Sequence, residues 1–408
     1  KFQWAARRAS RATAAMTEES GRPAVPPMDD SALSSILSAR SRPGSPPKED
    51  EMARLYAQPK ISRQSSSLAD ALRGVLEYGV SSVQGARDAM EDAHQAMLRP
   101  TTPSLLAAAL GHEAAGLATP NTRKTVASKP CPDISFFGVF DGHAGRDCAE
   151  YVEKHLYTNI LRRIEHFCGE GDGGRPTPLI VQQALEAAVL DTEASYLERA
   201  REKELMDGTT LAICVILEEK YLVAANVGDS EIVICRNGEA VPLTTIHNMK
   251  KNPQEKVRVA AAGGRVVSSR IGHPRFNPQL ISVGVSRAIG DLFFKDDQYT
   301  EGKPSGLIAD ADTQCIELDK NDQFVILGCD GLWDVVSHKD AVAAAIKGLE
   351  ANETPQAVSE RLVKLADERG SGDNITVMML VFRWERRRTS TFGSVMEAAE
   401  PRELAATV

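Results

Sequence analysis

Four short acidic segments of the sequence carry residue types that bind divalent metal ions and phosphate. They lie at residues 87–92, 141–143, 330–334 and 370–374. In the second and third, an apolar run leads straight into Asp-Gly, whereas in the fourth Asp373 directly precedes an apolar run. Carboxylates at the ends of buried strands are partly desolvated and repel one another, so they need a compensating positive charge. Because these segments hold few arginines apart from Arg87, the pattern indicates a hard divalent cation such as Mg²⁺ or Mn²⁺.

Other structures and other binding motifs explain this pattern less well. A single Asp-Gly pair is more often a simple turn, but three carboxylates at strand ends, together with Glu91 and Asp92, favour a shared metal site. Residues 319–322 resemble the start of an EF-hand loop, yet Phe324 stands where that loop requires Gly. The sequence contains no P-loop and no Cys/His set with zinc spacing.

The same residues suggest a reaction. Two metal ions sharing Asp141 would acidify a water and give a hydroxide nucleophile at neutral pH. Arg87 would hold a phosphate through paired hydrogen bonds, and His143 would protonate a departing alkoxide. The residue types alone therefore indicate metal-assisted hydrolysis of a phosphomonoester.

These residues must be positioned by the strands and helices around them. Apolar and β-branched runs predict strands at 80–83, 94–98, 134–140, 211–217, 221–227, 231–235, 240–243, 324–328 and 374–382. Apolar periodicity and capping residues predict helices at 148–164, 178–200, 253–262, 338–347 and 355–369. Since strands and helices come in blocks rather than in alternation, we expect an α+β fold of antiparallel sheets flanked by helices.

The globular pattern occupies residues 76–384. Residues 1–75 are rich in Ser, Pro, Ala and Arg and are predicted to be mostly disordered. We expect residues 99–131 to form a surface insertion and residues 385–408 a polar tail. Residues 1–15 hold four basic residues and no acid, which is typical of an organelle transit segment or, equally, of sequence upstream of a start at Met16.

The net charge, the cysteine content and the lengths of the apolar runs indicate which partners and locations the sequence favours. The chain has 408 residues and a formal net charge of -8, so no basic surplus favours a nucleic acid partner. The seven cysteines are odd in number and several lie in apolar runs, which predicts reduced, buried thiols and a cytoplasmic or nuclear location. No apolar run reaches the roughly 18 residues of a membrane span.

Eight stretches of the sequence resemble the metal-dependent Ser/Thr protein phosphatases of type 2C, the PPM family. They occur in the order found in that family and cover about residues 76–384. The stretches are QGARDAMEDAH, FFGVFDGHAG, DGTTLAICVI, VAANVGDSEIVIC, NPQEKVRVAAAGGRV, VGVSRAIGD, FVILGCDGLWDVVS and GSGDNITVMMLVF. The resemblance implies a four-layer α-β-β-α sandwich with two Mg²⁺ or Mn²⁺ ions between its sheets.

The resemblance also implies roles for individual residues. The implied metal ligands are Glu91, Asp92, Asp141, Gly142, Asp330 and Asp373. Asp141 would bridge the ions, Gly142 would contribute its carbonyl, and Glu91 and Asp92 would act directly or through waters. Arg87 would bind the substrate phosphate and His143 would be the general acid. The substrates would be phosphoserine and phosphothreonine in proteins, hydrolysed by direct attack of a metal-bridging water, and we expect a monomer.

The sequence departs from the family pattern at three places. Ile246 replaces the Asp of a usual Asp-His-Lys-Pro, which contributes to a third, weaker metal site in some members. Asp334 matches another ligand of that site, so we expect the third site to be weakened or absent. Glu231 stands where many members have Arg and is expected to alter substrate preference. Residues 265–284 form a long segment in the family's mobile flap region, and they either tune substrate choice or vary in length without effect.

Two other functions fit parts of the sequence. A pseudophosphatase that serves as a binding module would have lost metal carboxylates, but this chain retains Glu91, Asp92, Asp141, Asp330 and Asp373. A phosphatase for a small metabolite would use the same site chemistry, and the site residues alone do not separate it from a protein phosphatase.

Overall fold

The computed structural model describes residues 72–98, 134–169 and 175–386. The predicted targeting segment at 1–15, the rest of the predicted disordered region before residue 72, the predicted insertion at 99–131 and the tail from residue 387 onward lie outside the described residues.

Two five-stranded antiparallel sheets form the centre of the described fold. In spatial order, sheet 1 contains strands Leu72–Val83, Ile375–Arg386, Asp322–Gly328, Glu231–Arg236 and Glu239–Pro242. Sheet 2 contains strands Asp312–Glu317, Tyr221–Val227, Leu211–Leu217, Ile134–Phe140 and Ala93–Met97. In sheet 1 the strand at 72–83 pairs along its whole length with the strand at 375–386, so the two ends of the described chain meet there.

Side chains alternate between two environments along the strands, as the two-residue period of a strand requires. In the strand Ile134–Phe140, Phe136 and Phe140 point to the helices, whereas Phe137 and Val139 pack between the sheets. The layer between the sheets is closed from the other side by residues such as Ile234 of sheet 1. The two sheets are therefore packed face to face over one apolar layer.

Four long helices cover the outer faces of this sandwich. Asp147–Cys168 and Pro178–Lys203 pack on sheet 2, and His338–Glu350 and Pro355–Glu368 pack on sheet 1. Thr177, Ser337 and Thr354 cap three of these helices, since their side chains accept hydrogen bonds from backbone N–H groups of the first turn. The order of layers is α-β-β-α, which confirms the predicted α+β class.

Short helices and two small three-stranded sheets complete the described fold. The short helices are Pro253–Ala261, Leu292–Lys295, Asp297–Thr300 and Asp330–Trp333. One small sheet consists of Arg265–Val267, Arg270–Gly272 and Ser282–Val283, and another of Gly142–His143, Gly208–Thr209 and Ile289–Gly290.

The main differences from the predicted elements occur where tertiary contacts outweigh local pattern. The strand predicted at 80–83 begins at Leu72, before the predicted domain boundary at residue 76. Gly74 and Gly79 weaken its local signal, but Gly79 is required by packing, because a Cβ there would lie 2.2 Å from the backbone nitrogen of Gln356. The strand Asp312–Glu317 was not predicted, because it is a half-exposed edge strand with polar residues at most positions.

Two features of composition can be compared with the described residues. Of their six cysteines, four are buried and two are half-buried. Within the same ranges, every helix is too short or too polar to cross a membrane.

Candidate active site

The carboxylates singled out by the sequence stand at strand ends of both sheets. Asp92 directly precedes a strand of sheet 2, and Asp141 directly follows the next strand of that sheet. Asp330 lies two residues beyond the strand Asp322–Gly328 of sheet 1, and Asp373 lies two residues before the strand Ile375–Arg386. Because the two sheets face each other, these ends meet at one edge of the sandwich.

Mutual repulsion and burial mark these carboxyls as one cluster. Burial raises the pKa of Asp141 well above its ordinary value, and the charges of Asp330, Asp92 and Asp229 raise it further. Burial likewise raises the pKa of Asp330 to about 7, with added contributions from Asp229, Asp373 and Asp334. Such a cluster of buried acids requires either protons or cations to be stable.

Asp92 shows most directly that the cluster fits a metal ion. Its side chain is 2% exposed, and Oδ2 accepts a hydrogen bond of 2.6 Å from the Thr376 hydroxyl. Its Oδ1 is buried and has no hydrogen-bond partner among the described residues. Ligand atoms of Asp92, Asp141 and Cys329 all lie within 4.8 Å of one another. A buried carboxylate oxygen with no donor, next to another carboxylate, suits a hard oxygen-seeking cation such as Mg²⁺ or Mn²⁺.

The nearby thiol of Cys329 contributes little to such a site. Burial raises its pKa well above the ordinary value, and the charges of Asp92 and Asp141 add to this effect. The thiol donates to the backbone carbonyl of Asn374 at 3.3 Å. A protonated thiol is neither a good ligand for a hard cation nor a nucleophile.

Asn374 fastens the loop that carries Glu91 and Asp92 to the start of the last strand. Its amide nitrogen donates to the carbonyls of Gln84 at 2.7 Å and Ala89 at 2.9 Å. Its amide oxygen accepts from the backbone nitrogen of Glu91 at 2.8 Å. Asn374 lies in the fourth acidic segment, but its role was not predicted, because it depends on backbone groups almost 300 positions away.

Gly142 lies where a side chain would displace this loop. A Cβ at Gly142 would come within 2.3 Å of the backbone oxygen of Glu91. The short strand Gly142–His143 pairs with Gly208–Thr209, which fixes the backbone after Asp141. The predicted carbonyl ligand therefore lies on a rigid turn against the Glu91 backbone.

His143 is held by an aspartate that the sequence reasoning did not single out. Its Nε2 lies 2.8 Å from Oδ2 and 3.0 Å from Oδ1 of Asp291, and Asp291 is 2% exposed. Burial lowers the pKa of His143, but the charge and hydrogen bond of Asp291 outweigh it, so the pKa is raised overall. Asp291 ends the stretch VGVSRAIGD, which was the available signal for it. With Nε2 engaged by Asp291, Nδ1 is the ring nitrogen left for a further partner.

Arg87 lies at the rim of the cluster, where its side chain is 47% exposed and forms an ion pair with Asp373. A guanidinium has five N–H donors, so this contact leaves others for a ligand. The structure thus brings the predicted phosphate-binding residue to the predicted metal ligands.

The residues that depart from the family pattern lie at the side of the cluster. Glu231 is buried and its Oε2 lies 2.9 Å from Nε2 of His338, which argues against direct contact between Glu231 and a substrate. Asp334 forms an ion pair with Lys251. The carbonyl of Ile246 accepts a hydrogen bond from the side chain of Asn252.

The segment at 265–284 is tied together by its own contacts. Arg265 donates to the carbonyls of His273, Pro274 and Phe276 at 3.1 to 3.3 Å. His273 is fully buried and its Nε2 lies 2.8 Å from the carbonyl oxygen of Phe293. The predicted flap therefore contains an ordered core, and its effect on substrate choice stays a prediction.

Comparisons with known proteins show which family this chain resembles. The family model for protein phosphatase 2C matches residues 76–375. The protein phosphatase 2C homolog 2 of Schizosaccharomyces pombe is 30% identical over 337 residues, which cover 81% of this chain and 79% of that protein. The probable protein phosphatase 2C 76 of Arabidopsis thaliana is 30% identical over 272 residues, which cover 66% of this chain and 57% of that protein.

Solved structures show the same fold. The serine-threonine phosphatase 2C from Toxoplasma gondii superposes with a TM-score of 0.57 at 22% identity, covering 77% of this chain and 98% of that chain. A Caenorhabditis elegans sex determining protein gives a TM-score of 0.55 at 19% identity, covering 90% of this chain and 77% of that chain.

Proposed function

Because the chain belongs to the protein phosphatase 2C family and is a protein serine/threonine phosphatase, we propose that it acts with two Mg²⁺ or Mn²⁺ ions held between its sheets. The observation that carries this proposal is the buried carboxylate cluster at the strand ends, with the unpartnered Oδ1 of Asp92 inside it. Asp141 would be shared by both ions. The other proposed ligands are Glu91, Asp92, the Gly142 carbonyl, Asp330 and Asp373.

When bound, the two ions would neutralise the cluster and the substrate phosphate and would lower the pKa of the attacking water. Among the described residues at this site, the thiol of Cys329 is a poor nucleophile. Cys329 has a strongly raised pKa, so its thiol is protonated at neutral pH. This supports direct hydrolysis of phosphoserine and phosphothreonine rather than a covalent phosphoenzyme.

His143 is the proposed general acid. Asp291 accepts the hydrogen bond from Nε2 and so fixes the ring plane, which leaves the proton on Nδ1 available to the departing serine or threonine oxygen. The charge and hydrogen bond of Asp291 raise the pKa of His143, which favours retention of this proton. Arg87, at the rim, is the proposed ligand of the substrate phosphate.

The direct test is phosphatase activity on a phosphothreonine peptide with and without Mn²⁺. We expect Mn²⁺-dependent turnover that Asp141→Ala abolishes and that the exposed-site control Asp367→Ala leaves intact. If the folded wild-type chain shows no turnover at saturating Mn²⁺, the chain is a binding module and this proposal is wrong. Turnover of small phosphomonoesters without turnover of any phosphopeptide would instead support a metabolite phosphatase.

A further inference from the structure

A second group of acids lies beside the proposed metal ligands. Asp229 and Glu231 are 6% and 2% exposed, and both are close to Asp334 at the edge of the cluster. Burial raises the pKa of Asp229, and the charge of Asp334 adds to it. The charges of Asp229 and Asp334 also raise the pKa of Asp330. This part of the site therefore needs positive charge of its own.

Lys251 supplies a positive charge at this position. Its Nζ lies 2.9 Å from Oδ1 of Asp334 and 3.8 Å from Oε1 of Glu231, and its side chain is 31% exposed. Burial lowers the pKa of Lys251, but the hydrogen bond and charge of Asp334, with the charges of Glu231 and Asp229, raise it overall. The ammonium of Lys251 is therefore charged at neutral pH.

A tight turn at residues 246–252 holds Lys251 in this place. The backbone nitrogens of Lys251 and Asn252 donate to the carbonyl of Asn248 at 3.1 and 2.7 Å. The side chain of Asn252 donates to the carbonyl of Ile246 at 3.0 Å. From the same turn, the amide nitrogen of Asn248 donates to Oδ2 of Asp229 at 2.8 Å. The turn thus presents two donors, of which the amide of Asn248 binds Asp229 and the ammonium of Lys251 binds Asp334.

We propose that the Lys251 ammonium is a built-in cation that occupies the place where Asp229 and Asp334 would otherwise hold a further divalent ion. The inference rests on the proposed function, because it concerns an ion beyond the two proposed there. Ile246 lacks a carboxylate, Asn248 already satisfies Asp229, and the ammonium satisfies Asp334. A divalent ion would need to displace a charged group from within hydrogen-bonding distance of its ligand, which is unfavourable. The enzyme is therefore limited to two divalent ions.

The test counts bound Mn²⁺ by calorimetric titration and by electron paramagnetic resonance, so it does not depend on turnover. We expect two ions for the wild type and three for Lys251→Met, with the third bound at least about tenfold more tightly than any third ion of the wild type. The control Lys250→Met removes the same charge from the exposed neighbouring residue and should bind two. The double variant Lys251→Met/Asp334→Asn should return to two.

A second variant keeps the proposal testable if Lys251→Met does not fold. Asp334→Asn in the wild type should leave the count at two, because Asp334 holds an ammonium and not a divalent ion. A wild type that binds three ions and loses one in Asp334→Asn overturns the proposal, and so does a folded Lys251→Met that binds only two. A wild type that binds none refutes the proposed metal dependence itself, and this inference fails with it.

Discussion

Without bound metal ions, this protein should lose stability as the pH rises. Most carboxylates have the opposite effect, because their pKa values are lower in the folded state than in the unfolded state. Asp92 and Asp330 have pKa values of about 6 and about 7 in the folded chain, raised from 3.8 chiefly by burial. A carboxyl with a raised folded pKa binds its proton more tightly in the folded state than in the unfolded state. Its contribution to the free energy of unfolding is fully present at pH values below the pKa of the carboxyl in the unfolded chain. This contribution is lost as the pH rises through the pKa of the carboxyl in the folded chain.

The size of this loss follows from the two pKa values. At about 1.4 kcal/mol for each pH unit between the folded and unfolded values, ionising Asp92 costs about 3 kcal/mol of stability and ionising Asp330 about 4 kcal/mol. Because the two carboxyls interact, these costs do not add simply, and we expect a total loss of about 4 kcal/mol between about pH 4 and about pH 8. That is a large share of the total free energy of unfolding of a typical domain, which is about 5 to 15 kcal/mol.

Urea denaturation followed by circular dichroism measures this loss. In a chelator, the free energy of unfolding should fall from about pH 5 to about pH 8, and Mn²⁺ should restore it at the higher pH. Asp330→Asn should raise the metal-free stability at the higher pH by about 2 kcal/mol or more, whereas the exposed-site control Asp367→Asn should change little. Metal-free stability that is level or rises over this range would show that the carboxylates do not form a repelling buried cluster.

Three further predictions test how the site is held. Asp291→Asn should lower kcat on a phosphothreonine peptide by about 10- to 100-fold and on an aryl phosphate much less; equal losses on both would refute its role in positioning His143. Gly142→Ala should weaken Mn²⁺ binding, since its Cβ would lie 2.3 Å from the Glu91 carbonyl, whereas Gly372→Ala, which meets no atom within 4 Å, should not. Asn374→Ala should lower the free energy of unfolding by about 3 kcal/mol in urea titrations, because three hydrogen bonds are lost. A change below about 0.5 kcal/mol would contradict the role of Asn374 in fastening the loop that carries Glu91 and Asp92.

The central strands were predictable from the sequence because burial on both faces leaves a continuous apolar signal. The strands at 134–140, 211–217 and 221–227 have the bounds predicted for them. The edge strand at 312–317 carries no such signal, since its residues are half-buried or exposed and most of them are polar. The apolar sequence pattern therefore predicted the buried central strands correctly, but it did not predict the half-exposed strand at the edge of sheet 2.

The same distinction between residues with and without a local sequence signal applies to the site. Asp92, Asp141, Asp330 and Asp373 could be recognised because each stands beside a strand, so that local pattern reports position. Asp291 ends the stretch VGVSRAIGD, but its contact with His143, 148 positions earlier, leaves no local pattern that could predict it. Lys251 likewise has no local signal, since its acidic partners come from other elements.

The pairing of strand 72–83 with strand 375–386 has a consequence for the order in which the enzyme is made. All strands of sheet 2 lie between residues 93 and 317, so that sheet can assemble while the chain is still being translated. Strand 72–83 must wait for the last strand, and the loop bearing Glu91 must wait for Asn374. We therefore expect a nascent chain to be without phosphatase activity until its final strand leaves the ribosome, and translation arrested before residue 373 to yield an inactive product.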